Sequence, residues 1–171
     1  MGHLTTPEAL SMRWADLAKD PALSDLPYKI EINLWGKVEM TPASFWHGRL
    51  QGSIAAQFAA QLHHGEALTE VPILTAIGVR VPDVAWGSKE YLKANADASP
   101  AHRAPEICVE IVSPANTDDE IGQKIRAYLA AGAHEVWIVT EEGRISYHTR
   151  SGEQPASGFP ARLSLPKRGG I

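Results

Sequence analysis

A single cysteine, Cys108, stands among 171 residues, which excludes an intrachain disulfide framework and suits a reducing cytoplasm. Cys108 itself reads as a small buried hydrophobe. No apolar run approaches the ~20 residues needed to span a bilayer, so no membrane segment is expected. Arg13, Asp16, Lys19 and Asp20 interrupt any signal-peptide core near the start. The first six residues fit an N-myristoylation pattern only formally. A dense Lys/Arg patch is missing, and a net charge of -4 with pI near 6.0 counts mildly against constitutive nucleic-acid binding. A carboxylate cleft that loads divalent metal can still be locally positive. There is no internal repeat and no low-complexity segment. What remains is the composition of an ordinary globular protein, 44% hydrophobic and 21% charged. Its length predicts one domain over residues 27–152, with an N-terminal arm (1–26) and a C-terminal extension (153–171).

What is present centres on Ala104-Pro-Glu-Ile-Cys-Val-Glu-Ile-Val-Ser113. The run is longer than simple alternation gives and predicts a central strand covered on both faces. Glu110 lies in its apolar part, between Val109 and Ile111. A carboxylate there costs several kcal/mol of desolvation unless a cation is near. That cost marks Glu110 as the candidate centre of an enzyme site.

The remaining pattern predicts a mixed α/β sheet with helices on both faces. Pro7 to Lys19 is weakly helical. Tyr28–Leu34 and Lys37–Met40 alternate around Trp35-Gly36, a β-hairpin with Lys37 and Glu39 on one strand face. Thr41-Pro42 is expected to start a helix over 45–62, with Leu50, Ile54, Phe58 and Leu62 inward and Gly65 closing it. Its His47 falls on or beside the buried face, where most histidines are simply packed. Glu70–Ala76 and Val79–Trp86 read as short strands, Ser88–Lys93 as a short helix, and Ala94–Arg103 as a mobile polar loop. Thr117-Asp-Asp-Glu120 is a capping box for a helix to Ala131, with Ile121, Ile125, Tyr128 and Leu129 inward. His134–Thr140 completes a parallel β-α-β unit, and Arg144–His148 returns antiparallel. A last short strand is expected near Leu163–Leu165.

Asp83 at a strand start, Glu110 in the central strand and Lys124 on the next helix suit metal-assisted phosphodiester hydrolysis. Two carboxylates can hold a cation that polarises a phosphoryl oxygen, and oxygen-only donors favour Mg²⁺ or Mn²⁺ over zinc. Lys124 flanks the buried stripe, so its stem can pack while its ammonium reaches the sheet edge. Each residue also has a structural use. Asp83 can cap a turn after Pro82, Glu110 can sit in a buried ion pair, and Lys124 can be its partner. Trp86, Trp137 and Tyr128 read as core.

The order Arg80-Val-Pro-Asp83-Val-Ala-Trp86, Ala104 to Pro114, Lys124 before Ala-Tyr128-Leu-Ala-Ala-Gly132, and Glu135-Val-Trp-Ile-Val139 resembles the Uma-two family of restriction-endonuclease-like proteins. That family lies in the PD-(D/E)XK nuclease superfamily, and the resemblance covers residues 28–152. It implies a restriction-endonuclease-like core and a Mg²⁺- or Mn²⁺-dependent endonuclease acting on DNA in the cytoplasm as a homodimer. Asp83 and Glu110 would then be metal ligands, joined by the Ile111 carbonyl, with Lys124 catalytic. The superfamily's lysine belongs two residues after the glutamate, where this chain has Val112; Lys124 matches the migrated lysine of the family. His47 matches a family histidine. Lys37 replaces a family glutamate, and Glu39 on the same strand face can substitute. Two other functions compete: a catalytically silent binding or scaffold protein, and a metal-dependent hydrolase of a small phosphorylated substrate.

Overall fold

The structure, a computed structural model, describes residues 5–169. The formal acylation pattern and the start of the expected arm therefore lie largely outside the described residues. Thr6 caps α1 (Pro7–Leu17) by accepting from the Ala9 N–H, and a single turn, α2 (Pro21–Ser24), follows. Next comes the expected hairpin of β1 (Tyr28–Asn33) and β2 (Val38–Pro42).

Thr41 and Pro42 do not start a helix. They continue β2 opposite Lys29 and Tyr28, at a sheet edge where the missing proline N–H is tolerated. Ser44 is the cap of α3 (Phe45–Gln61), accepting from the His47 N–H. Gly65 is not a helix-closing residue either. It opens β3 (Gly65–Thr69) opposite Ser88, where a Cβ would lie 2.3 Å from the Gly87 carbonyl oxygen. His64 takes the left-handed turn instead, at φ 66°.

The two runs expected between residues 70 and 86 are shorter and differently cut: β4 (Ile73–Thr75), β5 (Gly78–Arg80) and β6 (Val84–Ser88). The break at Val81-Pro82-Asp83 carries the chain from one sheet to another. Gly78 has φ 116°, and a Cβ there would meet the Ile32 carbonyl oxygen at 2.0 Å, so glycine is what lets β5 lie against β1. After α4 (Lys89–Ala94), the polar loop is tied down at Ala101, which bonds the backbone of Pro72 and Leu74. Then come β7 (Ile107–Val112), α5 (Asp118–Ala130), β8 (Glu135–Thr140), β9 (Ile145–Thr149) and β10 (Gly152–Gln154). The capping box at Thr117 and Glu120 is formed on both sides.

One sheet has the order β2-β1-β5-β4, the other β10-β9-β8-β7-β6-β3. Among the strands of the described residues, β7 and β8 pair parallel and the other pairs are antiparallel. Strand alternation divides β7 between two cores. Ile107, Val109 and Ile111 pack toward Leu50, Ile54 and Phe58 of α3. Cys108 packs with Tyr128 and Leu129 of α5, and Glu110 lies on that same face. A third cluster, Leu10, Ile32 and Val79, seats α1 on the smaller sheet.

No strand forms at Leu163–Leu165. The backbone of the tail there is paired instead by glutamine side chains of α3: Gln61 with Arg162, and Gln57 with Ser164. Among the described residues no helix is long and apolar enough to cross a membrane.

Candidate active site

The charged residues of the site come from six places in the chain and meet where the smaller sheet abuts the larger one. Odd positions of β1 put Lys29 and Glu31 on the face opposite Ile32. β5 supplies Arg80, the crossing segment supplies Asp83, and β7 supplies Glu110. α3 contributes His47, and α5 contributes Lys124 and Tyr128.

Asp83 is held from three sides. Its Oδ2 accepts from the Ile111 N–H at 2.7 Å, its Oδ1 accepts from Lys29 Nζ at 2.6 Å, and His47 Nε2 lies 3.1 Å from the same oxygen. Burial opposes its charge, yet the hydrogen bond to His47 and the Lys29 cation outweigh this and bring its pKa to about 2. The same hydrogen bond raises the His47 pKa against the opposing effect of its partial burial.

Glu110 is 4% exposed. Its Oε1 accepts from the Tyr128 hydroxyl at 2.6 Å, both oxygens lie 3.2 Å from Lys124 Nζ, and Oε2 is 3.8 Å from Lys29 Nζ. Burial still prevails over the Lys124 and Lys29 charges, so its pKa is raised. Burial works against both ammonium groups as well, but Glu110 leads a set of carboxylates that outweighs it and raises both lysines.

Glu31 adds a third buried carboxylate. It bonds the Val81 N–H at 2.8 Å, and Lys124 and Arg80 lie 3.2 and 3.3 Å away. Burial opposes its charge, but Lys124 and Lys29 lower its pKa below the ordinary value. Its register partner across the hairpin is Glu39, an acid directly opposite an acid. The Arg80 guanidinium resolves that conflict by bonding both.

Of the sequence candidates, Asp83, Glu110, Lys124 and His47 are brought into one cluster. Glu39 is joined to it only through Arg80, although it lines the same cavity. The cavity measures about 750 Å³ and is bordered by Lys29, Glu31, His47, Glu110 and Lys124. A second of about 260 Å³ reaches Asp83 from the α3 side, and Lys29 and His47 border both. Sequence pattern gives no warning of Lys29 and Glu31. Polar residues on alternate positions of a hairpin strand read as the solvent face, and only the second sheet turns that face inward. The Tyr128 hydroxyl is hidden behind its place in an apolar stripe.

A metal implied by this residue set is tested by the donors themselves. Among the described residues no three His, Cys, Asp or Glu side chains form a metal-holding group. Magnesium does not need one, since it commonly takes one or two carboxylates and completes its shell with water and phosphate. Asp83 Oδ1 and Glu110 Oε2 both face one hard cation, the Lys29 ammonium, at 2.6 and 3.8 Å. Two carboxylates converging on a cation that itself borders both cavities fit a hard divalent ion.

Comparisons with known proteins say what this mixed α/β core and its buried charge cluster resemble. A crystal structure described as "a putative nuclease belonging to DUF820", from Anabaena variabilis ATCC 29413, superposes with a TM-score of 0.65. It is 16% identical over 77% of this chain and 83% of that one, a likeness of fold. The family model Uma2, described as "Putative restriction endonuclease", matches residues 21–167. The chain belongs to the Uma2 family. None of the curated proteins compared matches it.

Proposed function

We propose that the protein is a Mg²⁺- or Mn²⁺-dependent endonuclease that hydrolyses DNA phosphodiester bonds. The observation that carries the reading is the convergence of Asp83 and Glu110 on a single cation beside Lys124, with Glu110 lining the larger cavity and Asp83 the smaller. The family description points to the same class of substrate. Asp83 and Glu110 would hold the metal, which when bound supplies a Lewis acid for a phosphoryl oxygen and acidifies water.

The chain's own residues have the other duties. The Ile111 N–H and the Tyr128 hydroxyl fix the two carboxylates, so neither must be ordered at the moment of reaction. Lys124, whose side chain is 23% exposed, orients the attacking water or stabilises charge on the five-coordinate phosphorus. His47, a protonated donor more readily than an ordinary histidine, borders both cavities and would donate to a phosphate bound there. Cutting both strands of a duplex takes two such sites, hence a homodimer, which sedimentation analysis would reveal.

One observation favours a second reading, the silent scaffold. Every buried carboxylate of the cluster already has a cation partner within the chain.

The test offers supercoiled plasmid and bis(p-nitrophenyl) phosphate side by side, with Mg²⁺ and with Mn²⁺. Plasmid nicking is expected, slowed about 100-fold in Lys124→Ala. Turnover of the small ester alone would move the assignment to small phosphorylated substrates. No turnover of either would favour the scaffold.

A further inference from the structure

Lys29 belongs to no motif, yet its ammonium stands where the two proposed metal ligands meet. We propose that Lys29 is a built-in occupant of the cation position between Asp83 and Glu110, so that metal loading is an exchange that expels its ammonium. This rests on the metal-dependent reading above and adds a step to it.

Three observations carry it. The first is place. Lys29 Nζ lies 2.6 Å from Asp83 Oδ1 and 3.8 Å from Glu110 Oε2. None of the cluster's other cations pairs with both: Lys124 pairs with Glu110 and Glu31, Arg80 with Glu31 and Glu39, and His47 with Asp83.

The second is charge. Glu31, Asp83 and Glu110 face Lys29, Arg80 and Lys124, three against three, all largely buried. The outer pair, Glu39 and His47, adds one of each sign when His47 is protonated. A divalent ion entering this neutral set with Lys29 still in place would bury two uncompensated positive charges. Releasing the ammonium removes half of that excess, and substrate phosphate can balance the remainder.

The third is room to leave. The Lys29 backbone is fixed by pairing with Thr41, but its side chain borders both the 750 Å³ and the 260 Å³ cavities. Rotation of the four-carbon stem takes the ammonium into open space without moving β1. Arg80 has no such freedom, since its guanidinium is also anchored on the Ile77 carbonyl.

The experiment is calorimetric titration of MnCl₂ into the wild type, Lys29→Gln and Asp83→Asn, with thermal melts as folding controls. Lys29→Gln is expected to bind at least about ten-fold more tightly than wild type, because one unit of competing charge is gone. Asp83→Asn should lose binding. A measurement without variants stands beside it: the ¹⁵N signal of the Lys29 ammonium, sharpened by its carboxylate contacts, is expected to shift and exchange faster as Mg²⁺ saturates the wild type.

Equal or weaker binding by Lys29→Gln, with wild-type binding lost in Asp83→Asn, overturns the exchange and leaves the metal site standing. No Mn²⁺ binding by either wild type or Lys29→Gln overturns both. If Lys29→Gln does not fold, the NMR titration decides, and an unmoved Lys29 signal at Mg²⁺ saturation overturns the exchange.

Discussion

A carboxylate in the middle of a covered strand must either lose its charge or gather donors and cations. Glu110 gathers Tyr128, Lys124 and Lys29 and still has a raised pKa, with burial the dominant cause. Asp83, no less buried, goes the other way, to about 2 from an ordinary 3.8, through His47 and Lys29. Because its folded value lies below the unfolded one, ionised Asp83 stabilises the fold above about pH 4. That contribution, about 2 kcal/mol, is lost as pH falls from about 4 to 2. Urea melts of wild type and Asp83→Asn should therefore converge across that window, and a constant gap would contradict the assignment. Tyr128→Phe removes one donor from Glu110 and nothing of comparable volume. Mn²⁺ affinity is expected to fall about ten-fold with the fold intact, as read by titration and circular dichroism.

At the scale of elements, α3 joins the core, the site and the tail. Leu50, Ile54 and Phe58 face the larger sheet, His47 faces Asp83, and Gln57 and Gln61 hold the C-terminal segment. Four helical residues rise about 6 Å, and two extended residues advance about the same. That match lets Gln57 and Gln61 meet Ser164 and Arg162 in the manner of a neighbouring strand. The double variant Gln57→Ala/Gln61→Ala is expected to cost about 2 kcal/mol in chemical unfolding while leaving Mn²⁺ binding at Asp83 unchanged. Local pattern made much of this readable. The four-residue repeat of Leu50, Ile54 and Phe58 gave the helix, and the Thr117–Glu120 capping box gave the start of α5. The exact cap of α3 was not readable, because Thr41-Pro42 is a good helix start in isolation. Pairing with β1 wins that stretch and passes the role to Ser44. Ser44→Ala is expected to lower the melting free energy by about 1 kcal/mol, a larger loss than Thr41→Ala should give.

For the whole molecule, the site exists only because two sheets meet. Glu110 and Lys124 could be picked out in the sequence because one breaks and the other flanks a local apolar pattern, and Asp83 by its place after Pro82 at a strand start, with the family resemblance joining the three. Their counter-charges could not. Lys29, Glu31 and Arg80 sit on short strands of the smaller sheet, and nothing within those strands says that the polar face will be covered. The β5–β6 crossing lies within one strand-like run, Val79–Trp86, where Pro82 marks a strand start or edge but nothing says that the chain changes sheets there. Whole-molecule charge, -4, says little about the cluster, where acids and bases balance. The central claim is that Asp83 and Glu110 together can hold a hard divalent cation. A crystal soaked in MnCl₂ and measured at a wavelength where manganese scatters anomalously tests it most directly. The expected result is one strong anomalous peak ~2.2 Å from oxygens of both side chains, with the Lys29 ammonium withdrawn. A saturating soak that leaves the space between residues 83 and 110 without a peak would contradict the account.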